Sequence, residues 1–362
     1  RQCSRGRPGV PCNEARTARG KGPEMRAWQI VSDAGVDGLA LGERAIPDPG
    51  HGQVMIKVNA SSINYRDLTT IEDPVSRGLP FPTVPNSDAA GEVAAVGAGV
   101  EAFKVGDRVT SCFFEDWVDG EISEAAMNSA LGGARQGVLA EYVVLDQSGV
   151  IHAPGHLSDE QAATLPCAAL TAWHALTRPA PVLPGETVLL LGTGGVSVFA
   201  QQFCALFGAE TIATSSDNAK LERMSALGAA HTINYREMPE WDQAVKDLTG
   251  GRGVDRVVEV GGPGTLERSI SAVRVGGRIQ LIGTLTGPAN RIVPTLLMRK
   301  SISLRGIYVG SRAMFAEMNR AIEAHRLEPV VSEVFPFEQA RSAYHRMREA
   351  THFVKMVISL KS

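Results

Sequence analysis

The sequence predicts an α/β fold in two parts, a β-rich region over residues 25–155 and a doubly wound parallel sheet over 156–325. Three observations carry this. Short alternating stretches such as QVMIKVNASSIN, AAGEVAAVG and DRVTSCFF are separated by Gly/Pro turns such as PDPGHG, the pattern of a barrel-like or sandwich fold. From Ser158 onward, continuous apolar strands interleave with amphipathic helices, as in a parallel sheet buried on both faces. A glycine-rich turn joins the first of those strands to its helix.

Taken in order, the first 24 residues carry six basic and two acidic residues, are rich in Gly and Pro, and show no apolar periodicity. They read as a disordered leader without the apolar h-region of a secretory signal. Met25 opens the strand MRAWQIV, and residues 115–137 form a polar loop. SDEQAATLPCAALTAWHALT starts on Ser158 as N-cap and runs apolar at helical spacing. TVLLLG, ETIATS, HTINY, VDRVVEV and RIQLIGT follow as strands with helices between them. A helix over 312–325, the strand VVSEVF, another helix and the strand KMVISL close the chain.

Bulk properties narrow the function. The 362 residues are room for two domains. No apolar run reaches the roughly 18 residues of a membrane span. The net charge is −3, with Lys and Arg scattered, which argues against a nucleic-acid surface. The cysteines, Cys3, Cys12, Cys112, Cys167 and Cys204, are too dispersed for a disulfide framework or a metal pair. That fits a reducing cytoplasm.

The strongest motif is LLLGTGGVSVFAQQF. Gly192, Gly194, Gly195 and Val196 lie between an apolar strand and an amphipathic helix. Such glycines make a tight turn and let a pyrophosphate approach backbone at a helix N-terminus. Ser197 stands where the fingerprint has Gly or Ala. The second strand ends ATSSDNAK, with Ser215 and Ser216 where an NAD enzyme carries an acid on the ribose. Two hydroxyls and Lys220 suit a 2′-phosphate, so NADPH is the expected cofactor and NADH the other one such a site accepts. Lys220 also reads as a solvated helix charge. Asp217 is expected to cap the next helix, and Tyr235 to close over the phosphate.

GTGGVS, LPCAALTAWHAL, the TSS…K segment, LGA followed by INYR, VEVGGPGTL and GGRIQLIG together resemble the medium-chain dehydrogenase/reductases, over essentially all of residues 25–362. Within them the chain looks closest to NAD(P)-dependent alcohol dehydrogenase-like proteins and quinone oxidoreductases. The resemblance implies a GroES-like catalytic domain (25–155, completed by 326–362), a Rossmann domain (156–325), a cleft between them and a homodimer. It also implies that Thr171 faces the nicotinamide, with Gly261 and Gly283 at the strand ends beside the cofactor. Where zinc relatives carry their catalytic ligands, this chain has Asn64, Ser87, Asp88 and Cys167. One thiolate and one carboxylate do not make the usual three-ligand N/S site. Only Cys112 lies in the stretch of the structural zinc lobe, and Pro154 and Gly155 keep His152 and His156 off one helix face. No residue is assigned to a metal.

Without a metal, the question is where negative charge goes after hydride transfer. An alkoxide has a conjugate acid resembling water, pKa about 15.7; a phenolate or enolate is nearer to about 10. At about 1.36 kcal/mol per unit, the gap is on the order of 8 kcal/mol, comparable to what a Lewis acid supplies. Quinones and conjugated carbonyls are therefore the favoured small-molecule substrates. A protein acid rescues a zinc-free carbonyl reductase, and Tyr65, beside Asn64, is the nearest candidate. The superfamily's enoyl reductases carry a catalytic Tyr about ten residues beyond the matching Asn; residues 71–80 contain none, which argues against an enoyl thioester. The catalytic candidates are thus Asn64, Tyr65 and Asp67, each with an ordinary structural alternative, and Arg66 is expected in solvent. Phe113, Phe114 and Trp117 read either as a pocket wall or as core. A third reading is a non-catalytic NADPH-binding protein.

Overall fold

The computed structural model describes residues 23–287 and 292–361. Of the leader, only Pro23 and Glu24 lie within that range. Strand β1 (Glu24–Ile30) begins one residue before Met25 and pairs antiparallel with β2 (Leu39–Ala45). Next come β3 (Gln53–Ser62), α1 (Tyr65–Glu72), β4 (Asp88–Val96) and β5 (Arg108–Ser111). β5 is shorter than DRVTSCFF suggested, because Cys112, Phe113 and Phe114 leave the sheet to enter the core. The polar loop holds one turn of helix, α2 (Glu124–Met127). It docks through the Trp117 and Val118 carbonyls, which accept from Arg312 and Ala313 N–H. Strands β6 (Tyr142–Asp146) and β7 (Val150–His152) complete this part.

The expected helix from Ser158 is interrupted. Ser158 caps α3 (Asp159–Ala162) in a reciprocal box with Gln161, but a π-turn at Leu165–Ala169 separates it from α4 (Leu170–Thr177). Pro166 has no N–H to give the helix ladder, and π-turns free a backbone donor locally. The freed donor here is the Cys167 N–H, which bonds Asp88 Oδ2 at 3.3 Å.

The alternating half follows as β8 (Thr187–Leu191), α5 (Gly195–Phe207), β9 (Glu210–Ser215), α6 (Asn218–Ala226) and β10 (His231–Asn234). It continues with α7 (Trp241–Leu248), β11 (Val254–Glu259), α8 (Leu266–Ala272), β12 (Val273–Leu281), α9 (Pro294–Arg299) and β13 (Ser303–Gly306). These strands form one parallel sheet in the order β10-β9-β8-β11-β12-β13. The order reverses beside β8, the switch point where ligands bind in open α/β sheets. Helix α10 spans Arg312–His325.

The chain then returns to the first part. β14 (Val331–Pro336) pairs with β15 (Lys355–Ser359), which runs antiparallel to β3; α11 (Ala340–Arg348) lies between them in sequence. The fold is thus a β-rich domain, completed by the C-terminal segment, plus a doubly wound parallel sheet, as the sequence predicts. One apolar core runs between them, from Phe113, Phe114 and Trp117 through α4 and α5 to Val357. Among the described residues no helix is long and apolar enough to cross a membrane.

Candidate active site

The turn between β8 and α5 needs its glycines for distinct reasons. Gly192 adopts φ +71°, a region costly for other residues. A Cβ on Gly195 would lie 2.7 Å from Lys355 Cδ and 3.1 Å from Ala168 Cβ, so that position is small because two other segments press on it. Around Gly194 there is open space instead. Val196 is half-buried at the start of α5, and Ser197 turns its Oγ back to the Leu191 carbonyl at 2.7 Å. The departure from Gly or Ala is thereby absorbed by the strand just before the turn.

At the end of β9, Ser215 is buried and its carbonyl accepts from Tyr235 N–H at 3.0 Å. This brings Ser215, Ser216 and the exposed Tyr235 ring around one strand end. Asp217 caps α6, its carboxylate accepting from Ala219 and Lys220 N–H. Lys220 is partly buried and not a freely solvated charge. Burial pushes its amine below the usual range, with Asp217 opposing the shift and Arg346 adding to it. Next to it is His352, absent from the sequence reading, with a buried Nδ1 that has no partner. Burial, then Lys220, Lys355 and Arg346, push His352 down to about 4. Lys220, His352 and Arg346 thus converge here, with Arg346 paired to Glu333 and Glu349 and Asp217 beside Lys220. Glu237, two residues past Tyr235, accepts from Asn218 and Asn234.

Asn64 is the N-cap residue of α1 and is 8% exposed. Its N–H donates to Asp67 Oδ2 at 2.8 Å. Asp67 is 1% exposed, and its other oxygen receives Arg66 at 3.2 Å, so both oxygens serve to hold the turn. Burial pushes the Asp67 carboxyl up, against the pull of Arg66 and the Asn64 N–H. Arg66 does not face solvent: it donates to the Leu131 carbonyl at 2.7 Å and stacks 4.8 Å from the Phe113 ring centroid. Tyr65 does not join this cluster. Its ring is 51% exposed and lines a groove with Leu68, Thr69, Arg77 and Arg348.

The group missed by sequence reasoning is Lys355. It is 3% exposed, and its Nζ donates to the Ile63 carbonyl at 2.8 Å and to Asn64 Oδ1 at 2.5 Å. Register explains the meeting: β15 pairs with β3 through Val357–Ser62, and the Ile63 N–H reaches the Met356 carbonyl at 3.1 Å, which carries Lys355 opposite Asn64. The available signal was a lysine inside an otherwise apolar closing strand. Asp88, also buried, accepts from Ser87 Oγ and the Cys167 N–H. Burial pushes Asp88 up to about 6, against the pull of Lys355. Desolvation, with Asp88 close by, holds the Cys167 thiol well above its ordinary range.

An aromatic wall completes the surroundings. Tyr308, two residues past β13, packs edge-on against Phe114 at 5.0 Å; Phe114 meets Trp117, and Trp117 meets His174. His174 Nδ1 donates to the Val309 carbonyl at 2.7 Å, fixing its tautomer. Val309 adopts φ +54°, which is strained for a β-branched residue. Phe113 and Phe114 are 1% exposed and Trp117 4%, so they are core whose edge Tyr308 extends. Thr171 is buried on α4, one turn beyond Cys167. Gly261 and Gly283 sit at adjoining strand ends, where Glu259 Oε1 holds the Gly261 N–H and the Glu259 carbonyl holds the Gly283 N–H.

Residues 50–155 match the alcohol dehydrogenase GroES-like domain, and residues 195–324 match the zinc-binding dehydrogenase family. A zinc-type alcohol dehydrogenase-like protein of Schizosaccharomyces pombe is 42% identical over 93% of this chain and 100% of its own. A tomato (Solanum lycopersicum) 2-methylene-furan-3-one reductase is 31% identical over 87% and 73%. A human quinone oxidoreductase is 28% identical over 89% and 94%. Among solved structures, a Sinorhizobium meliloti 1021 chain assigned to the alcohol dehydrogenases superposes with a TM-score of 0.88 at 39% identity, covering 93% of this chain and 99% of that one.

Proposed function

Because the chain belongs to the medium-chain dehydrogenase/reductase superfamily of NAD(P)-dependent oxidoreductases, we propose that it is a zinc-independent, NADPH-preferring reductase of quinones or conjugated carbonyls. The observation that carries this reading is the buried Lys355 ammonium bonded to Asn64. Zinc does not fit this donor set. Asn64 is engaged by Lys355 and Ser87 Oγ is turned to Asp88, which leaves one thiol and one carboxyl group where a catalytic zinc takes three protein ligands. The names of the tomato and human relatives point the same way.

The turn at Gly192, Gly194, Gly195 and Val196 would hold the pyrophosphate on the N-terminus of α5. Ser215, Ser216, Lys220 and Tyr235 would hold the adenosine 2′-phosphate, with Lys220 as its charged partner. Thr171, Gly261 and Gly283 are the proposed neighbours of the nicotinamide half. When bound, the dihydronicotinamide supplies the hydride. Asn64 would bind the acceptor oxygen, with Asp67 and Arg66 fixing the turn that carries it. Delocalised charge in a phenolate or enolate needs less from these residues than an alkoxide would. Tyr65, on its outer groove, is poorly placed as an acid, which weighs against the carbonyl-reductase alternative. We also place the protein in the cytoplasm as a homodimer; the open edge of β13 and exposed Leu285, Val293 and Met298 support self-association.

The test is NADPH oxidation by the purified protein with a 1,4-quinone, a simple enone and a saturated aldehyde, each with and without a strong chelator. Chelator-insensitive turnover confined to the conjugated acceptors is expected. Comparable turnover of the aldehyde would replace this reading with a carbonyl reductase.

A further inference from the structure

Lysine carries three N–H donors and no acceptor. Because Lys355 Nζ lies 2.5 Å from the Asn64 side chain, the atom facing it must be Oδ1. The Asn64 amide is therefore oriented by its neighbour, with Nδ2 directed away from the lysine. That Nδ2 is buried and completes no hydrogen bond. Asp88 is the nearby acceptor, close enough for the Asn64 side chain to help hold its carboxyl down, yet no hydrogen bond from Nδ2 to it is completed. A buried donor without a partner is disfavoured unless something arrives to accept from it.

Lys355 is itself held by the dinucleotide turn. Val354 adopts φ +65°, strained for a β-branched residue, and its N–H bonds the Thr193 carbonyl at 3.1 Å. The Lys355 stem lies where a Cβ on Gly195 would go. One strained residue thus links the cofactor turn to the cation that orients Asn64.

We infer that Lys355 is a positioning residue: its buried ammonium orients Asn64 so that the Nδ2–H is presented to the oxygen of the acceptor carbonyl. Charge developing on that oxygen during hydride transfer is met by an oriented amide backed by a fixed cation. The inference rests on the proposed reductase reading for its substrate, and the two fail separately. The acceptor profile of the unmodified protein tests the reading; variants assayed on whichever acceptor it turns over test Lys355.

Lys355→Met, Lys355→Arg and Asn64→Asp are each compared for kcat, acceptor KM and NADPH Kd, the last by fluorescence titration without acceptor. Removing one oriented donor lowers turnover by about 100-fold or more. Lys355→Met is expected to lose about that much kcat with NADPH Kd changed less than threefold, and Lys355→Arg to recover at least tenfold of it. Asn64→Asp keeps a partner for the lysine and removes the donor, so it reports even if Lys355→Met fails to fold. It is expected to match the loss in Lys355→Met, and the double variant to be no slower than either single. An unchanged kcat in Asn64→Asp overturns the inference. So does a Lys355→Met variant whose kcat at saturating NADPH is unchanged while NADPH Kd rises more than tenfold in a salt-dependent way, since Lys355 would then act on the cofactor phosphates.

Discussion

The turn at Gly192–Gly195 and the cluster around Asn64 solve neighbouring parts of one task with different materials. The turn is consecutive sequence presenting backbone, and what matters there is the absence of side chains. The cluster draws Asn64, Asp88, Cys167 and Lys355 from separate segments, with Lys355 and Asn64 lying 291 positions apart. Every group in it is a side chain or a freed N–H whose use depends on its neighbours. Local damage to the turn should therefore leave the fold intact, whereas changes in the cluster should couple stability, pH and turnover.

The largest effect expected is on the turn. Gly194 has φ −80°, which any residue adopts, and open space where its Cβ would be. Gly194→Val should keep the melting temperature within about 2 °C of the unmodified protein. It should raise NADPH Kd by at least about 100-fold, on the order of 2.7 kcal/mol. Unchanged affinity by titration would mean the pyrophosphate runs elsewhere.

The cluster should show its character through pH. Burial raises Asp88 from 3.8 to about 6. The folded state therefore favours its protonated form, and the contribution of Asp88 to stability is present below about pH 4 and is lost as pH rises through 6. Asn cannot ionise, so the stability of Asp88→Asn relative to the unmodified protein should improve by about 2 kcal/mol between pH 4 and pH 7.5. Urea unfolding at the two pH values measures this. A gap that does not change with pH would mean that Lys355 fully offsets the buried carboxylate.

Lys220 sharpens the cofactor half of the comparison. Lys220→Ala should weaken NADPH by about tenfold and NADH by less than twofold, because only the former brings a 2′-phosphate. Equal losses for both would return Lys220 to an ordinary helix charge. The smallest effect is expected at Tyr65, where Tyr65→Phe should change kcat/KM less than about twofold; a tenfold fall would restore it as the acid.

Much of this was legible early because strand–turn–helix patterns are local. The six-stranded parallel sheet, α10 at 312–325, the cap on Ser158 and the capping role of Asp217 all follow from periodicity and short-range hydrogen bonding. The misreadings have a common cause. Arg66 reads as a surface residue until Leu131 and Phe113 are brought to it, and Tyr65 reads as a site residue until α1 turns it outward. The helix after Ser158 reads as continuous because apolar spacing does not reveal that Pro166 opens it and Asp88 takes the freed N–H.

By itself the sequence determined the fold class and the glycine-rich turn between β8 and α5, since each depends on residue type at fixed local spacing. Only the tertiary structure decided which cation stands beside Asn64, which way its amide points and which aromatic rings meet Tyr308. Those depend on the register of β15 against β3, where a slip of one residue would turn every side chain of the strand to the other face and take Lys355 out of the site.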